Sequence, residues 1–132
     1  MPYQAVTHDI AVSVEVAYIP PEQHGRGPGR HVWTYHIRIE NRGARTVQLK
    51  TRHWTIVDAR GHVEHVDGPG VVGETPVLAP GGSFAYTSGC PLPTDSGAMS
   101  GHYMFERDDG VWLKVAIPAF SLDAPSAKRT LN

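Results

Sequence analysis

The chain has 132 residues, 40% hydrophobic and 19% charged, the range of one globular domain with its own core, and this excludes a wholly disordered chain. A net charge of -1 with neutral histidine supplies no basic field to gather nucleic acid, although eight histidines make the charge pH-sensitive. A single cysteine, Cys90, excludes an internal disulfide, and no apolar run approaches the ~18 residues of a membrane span. Residues 1–9 show neither the basic nor the apolar region of a signal peptide, so the expected location is cytoplasmic with no membrane partner.

Period-2 alternation recurs along the chain and helical periodicity is nearly absent. Over residues 10–18, Ile10, Val12, Val14, Val16 and Tyr18 share one face, with Ser13 and Glu15 on the other. A loop, Pro20 to Arg30, joins this strand to the next. There Trp33, Tyr35, Ile37 and Ile39 point inward against Thr34, His36, Arg38 and Glu40, and Asn41-Arg42-Gly43 turns the chain. The third strand, 46–58, begins with Val47 and Leu49 inward and continues with Trp54 and Ile56. That change from odd to even positions predicts a bulge or a change of sheet near Thr51 to His53.

Asp58-Ala59-Arg60-Gly61 reads as a hairpin turn into a short strand from His62 to Val66. Asp67 to Gly82 reads as a long Gly/Pro connection. Alternation returns with Phe84 and Tyr86, then with Met99, Gly101, Tyr103 and Phe105. Asp108-Asp109-Gly110 is a turn signal before Val111, Leu113, Val115 and Ile117. The pattern predicts an all-β, antiparallel Ig/fibronectin III-like β-sandwich of about seven strands, one domain over residues 1–120, with 121–132 a mobile tail. The expected core includes Trp33, Tyr35, Ile37, Ile39, Trp54, Ile56, Phe84, Tyr86, Tyr103, Phe105, Leu113 and Val115.

Gly68-Pro69-Gly70-Val71-Val72-Gly73 matches G-x-G-x-x-G. In a dinucleotide fold those glycines let the backbone approach a pyrophosphate at a helix N-terminus. Here Pro76 and Pro80 prevent a regular helix and the surroundings alternate as antiparallel strands, so that reading fails. Gly68, Gly70, Val71, Val72 and Gly73 remain a candidate ligand-binding loop, either as an anion nest or as a rigid turn, with Glu74 opposing an anion. No His pair has the i, i+2 spacing of a strand metal site, and His36 and His53 meet only if their strands pair in register. Cys90 needs a base to act as a nucleophile, and His102 reaches it only through folding. Arg38, Arg42, Arg45, Lys50, Arg52 and Arg60 read as a solvated sheet face, with a phosphate-contacting patch as the minor alternative. No catalytic residues, metal ligands or cofactor emerge.

Residues Asp67 to Met104, DGPGVVGETPVLAPGGSFAYTSGCPLPTDSGAMSGHYM, together with Tyr35 to Asn41 and Arg52 to Asp58, resemble the ApaG family over nearly the whole chain. The resemblance implies a fibronectin type III-like sandwich. It also implies a protein-interaction role, because related domains are similar to modules appended to larger eukaryotic proteins. It further implies an association with cobalt resistance, magnesium efflux and genes for dinucleoside-polyphosphate hydrolysis. The expected function is a non-enzymatic module with a protein partner, and a homodimer is left open. The alternative is a sensor of phosphate, pyrophosphate or nucleotide at Gly68 to Gly73, and a third reading is an enzyme with an unfamiliar site. Sequence-specific nucleic-acid binding is not expected.

Overall fold

The structure, a computed structural model, describes residues 2–24 and 30–125, without the side chains of Glu22 and His24. It is an antiparallel β-sandwich. The strands are β1 (Tyr3–Thr7), β2 (Ile10–Ile19), β3 (His31–Asn41), β4 (Val47–Asp58), β5 (Val63–Pro69), β6 (Val77–Leu78), β7 (Ser83–Leu92), β8 (Ser96–Arg107) and β9 (Trp112–Asp123). One short helical turn, α1 (Pro21–His24), follows β2. The first sheet is ordered β1-β2-β3-β7 and the second β5-β4-β8-β9, with β6 also on β4. No helix among the described residues is long and apolar enough to cross a membrane.

Each strand read from the alternation is present, because one buried face per strand dictates the period. Of the twelve expected core residues all are buried except Ile56 and Phe84, which are partly buried against the same cluster. Asn41 is also buried, since its side-chain amide donates to the carbonyls of Arg45 and Leu78 and its oxygen accepts from the Gly43 amide. That buried polar group is satisfied and fixes the turn after β3.

Two bulges change which residues face inward. In β4, Leu49 lies opposite Phe105 and Thr51 opposite Met104, so Lys50 is the extra residue and the inward set becomes even-numbered. In β9, Ile117 faces Gly101 and Phe120 faces Met99, so Pro118 and Ala119 span the single residue Ser100. The second bulge corrects the expected domain boundary at residue 120. β9 runs on to Asp123, and Phe120, Leu122 and Ala124 are buried. Residues 126–132 of the expected tail lie outside the described residues, as do residues 25–29 of the first loop.

Two strands carried no readable signal. β1 is joined to β2 by His8-Asp9, both at positive φ (51° and 62°), in place of the usual Asn-Gly or Asp-Gly hairpin pair. β6 has two residues and lies within the stretch read as a long connection, which also begins later than expected because β5 runs to Pro69.

The two long sides of the sandwich differ. On one, β1 lies against β9: the Ala116 amide donates to Thr7 Oγ1 (3.2 Å), Tyr3 and Ser121 share a hydroxyl hydrogen bond (3.2 Å), and Tyr3 rests on Phe120. On the other, the edge strands β5 and β7 stand apart and leave a cleft that opens into the core.

Candidate binding cleft

The cleft encloses about 460 Å³. Its β3–β7 wall carries Tyr35, Tyr86, Ser88 and Cys90, and its β4–β5 wall carries Arg52, Trp54, Glu64 and Val66. Tyr35 meets Trp54 edge-on at 5.2 Å between ring centroids. The Tyr86 and Tyr103 hydroxyls share a hydrogen bond of 2.5 Å beneath. Val71 and Val72 complete the rim.

Arg52 enters this cleft because of the Lys50 bulge. It shares the inward face with Trp54 and Ile56, although its charge places it among the solvated cations when the sequence is read alone. Its Nη1 donates to the carbonyls of Pro69 (3.0 Å) and Gly70 (2.9 Å). The guanidinium lies over Gly68, where a Cβ would stand 2.9 Å from both terminal nitrogens. Among the described residues Arg52 has no carboxylate partner, whereas Arg42 pairs with Glu40, Arg45 with Asp108, and Lys50 with Glu106. Glu64 also faces the cleft, opposite Ile56 and away from Arg52 along the strand.

The glycine loop is a tight structural turn. Gly70 (φ 59°) sends its amide to the Lys50 carbonyl, and Val71 and Glu74 exchange two backbone hydrogen bonds of 2.8 and 2.9 Å. Val72 and Gly73 (φ 43° and 79°) form the corner of a type I′-like turn. The amides of Gly70, Val71 and Glu74 are thus committed to carbonyls. Val71 is buried and Val72 is 55% exposed, so the two valines divide between core anchor and surface contact.

The thiol and the phenols in and beneath the cleft are held neutral. Burial pushes the Cys90 thiol up to about 11, with Glu64 adding to the shift. Burial likewise raises the Tyr35, Tyr86 and Tyr103 phenols above their ordinary value. A thiol so placed is a poor nucleophile at neutral pH. His102 lies on the outer face of the second sheet and so does not act as a base for Cys90. The histidines group differently from the sequence expectation. His36 is in the first sheet, while His53 stacks on His102 (5.0 Å, 22°) and on His65 (5.4 Å, 27°) across β8, β4 and β5. His53 Nδ1 bonds Asp67 at 2.6 Å and His65 Nδ1 bonds Thr55 at 3.2 Å. Among the described residues no three His, Cys, Asp or Glu side chains are arranged to hold a metal ion. The stack joins diagonal and direct cross-strand neighbours, which sequence spacing alone does not reveal.

The model of the ApaG domain matches residues 21–107. Protein ApaG of Paramagnetospirillum magneticum is 54% identical over 130 residues, 98% of this chain and 99% of its own. Protein ApaG of Xanthobacter autotrophicus is 52% identical over the same shares. A crystal structure of a Bordetella pertussis protein described as ApaA aligns with a TM-score of 0.83 at 43% identity, covering 92% of this chain and 98% of that one.

Proposed function

The chain belongs to the ApaG domain family, and we propose that it is a non-enzymatic binding module which receives a protein partner at the cleft between β5 and β7. The observation that carries this reading is Arg52, a cation held by two backbone carbonyls at the mouth of an aromatic cleft without a carboxylate partner among the described residues. Aromatic side chains and arginine are the residue types that dominate binding energy at protein interfaces. The neutral thiol and phenols lining the cleft fit recognition better than acid–base chemistry. The module works in the cytoplasm, and its link to cobalt resistance and magnesium efflux runs through the partner.

The test is affinity capture from a lysate with three full-length baits: wild type, Arg52→Gln, and Trp112→Ser, an exposed side chain at the start of β9 that does not line the cleft. Capture by wild type and Trp112→Ser that is lost in a cooperatively melting Arg52→Gln supports the cleft. Capture indifferent to Arg52 refutes it. The second reading, a phosphate or nucleotide sensor at Gly68 to Gly73, is favoured by the same cation beside the loop. It predicts saturable amide shifts confined to residues 67–74 on adding pyrophosphate or ATP.

A further inference from the structure

The strand that borders the cleft is an unusual edge. β7 pairs with β3 alone among the named strands, and its ten residues, SFAYTSGCPL, include no charged side chain. Exposed edges are ordinarily blunted by lysine, proline or bulges, and here Pro91 is the single such device. An unpaired row of backbone groups beside a pocket is the arrangement that accepts an added strand, with main-chain hydrogen bonds for affinity and pockets for specificity.

The cleft beside this edge is bipolar. Arg52 lies opposite Gly68 and Glu64 opposite Ile56, so both charges sit on the cleft face, four rungs apart, roughly 13 Å along the strands. Arg52 marks the end near Tyr86, on whose phenol its charge acts. Glu64 marks the end near Cys90, Pro91 and Leu92. Beyond it lie Arg30 and Asp58, of opposite sign. Between the two charges the lining is neutral and largely apolar.

Resting on the cleft reading above, we propose that the partner contributes an extended segment which adds antiparallel to β7 and places a basic side chain against Glu64 and an acidic one, four residues later, against Arg52. The order follows from strand direction. A segment antiparallel to β7 passes the Cys90 end first and the Tyr86 end second. The spacing follows from the pleat, since residues i and i+4 share a face.

The test is selection of ten-residue displayed peptides on the immobilised full chain, using wild type, Arg52→Gln and Glu64→Gln, each confirmed by a cooperative melt. Wild type should enrich base-x-x-x-acid peptides. Arg52→Gln should lose the preference for the acid alone, and Glu64→Gln the preference for the base alone. The best wild-type peptide should bind Arg52→Gln about tenfold more weakly and protect alternate β7 amides from hydrogen exchange. Peptides of the reverse polarity, enrichment unaffected by either variant, or protection outside β7 would overturn the proposal. So would a concentration-dependent dimer whose β7 amides are protected without peptide, since the occupant is then a second copy of the chain. Failure to enrich any peptide also overturns it, while Arg52-dependent capture of a folded partner would leave the cleft reading standing.

Discussion

Replacing Gly70 with alanine asks whether the G-x-G-x-x-G stretch is required for the shape of the turn. Gly70 has φ 59°, and an added Cβ would lie 2.2 Å from the Glu74 carbonyl oxygen, 2.9 Å from its carbon and 3.2 Å from Thr75 Cγ2. The left-handed backbone by itself costs an L-residue about 1–2 kcal/mol. No rotamer relieves a clash with backbone, so the turn must open and weaken the two Val71–Glu74 hydrogen bonds, each contributing about 0.5–1.5 kcal/mol. The expected loss is about 2–4 kcal/mol, or roughly a 10 °C fall in Tm for a domain of this size. Gly73→Ala is the internal control, because φ is 79° but no heavy atom lies within 4 Å of the added Cβ. Only backbone strain acts there, about 1 kcal/mol. Urea unfolding of the two variants, with parallel thermal melts, measures the difference. A Gly70→Ala protein within about 0.5 kcal/mol of wild type, or Gly73→Ala equally destabilised, would refute the argument.

Leu122→Ala should destabilise by about 2–5 kcal/mol, because Leu122 is fully buried in β9; an effect below about 1 kcal/mol in urea unfolding would show that the strand ends earlier. Cys90 should react with a disulfide reagent at pH 8 on the order of 100-fold more slowly than in denaturant, where its raised thiol becomes ordinary; equal rates would contradict the burial. The His102 pKa is lowered by partial burial, then by Lys114 and His53, so the unfolded chain binds the proton more readily than the folded one. This contribution to stability should be complete above pH ~6.5 and lost as pH falls below it, levelling once both states are protonated. His102→Gln should flatten that part of the stability profile measured by chemical unfolding from pH 5 to 8, and an unchanged slope would sink the assignment.

The alternation of β2, β3, β4, β7 and β8 was sufficient to establish the strands and their inward rows, since each strand has one buried face and parity encodes which residues occupy it. It also announced the β4 bulge. Read through to its consequence, the parity that turns Trp54 and Ile56 inward turns Arg52 inward as well, but a charged side chain is by default assigned to solvent. The β9 bulge was hidden by Pro118, which ended the visible alternation before Phe120 and Leu122 resumed it. What only the tertiary structure decided depends on which strands become neighbours. The separation of β5 from β7, the placement of Arg52 and Glu64 along one cleft, and the His53–His65–His102 stack all join residues distant in sequence. Local pattern specifies the face a side chain takes, whereas pairing register and sheet packing specify what it meets there, and those are set by long-range contacts that no single segment encodes.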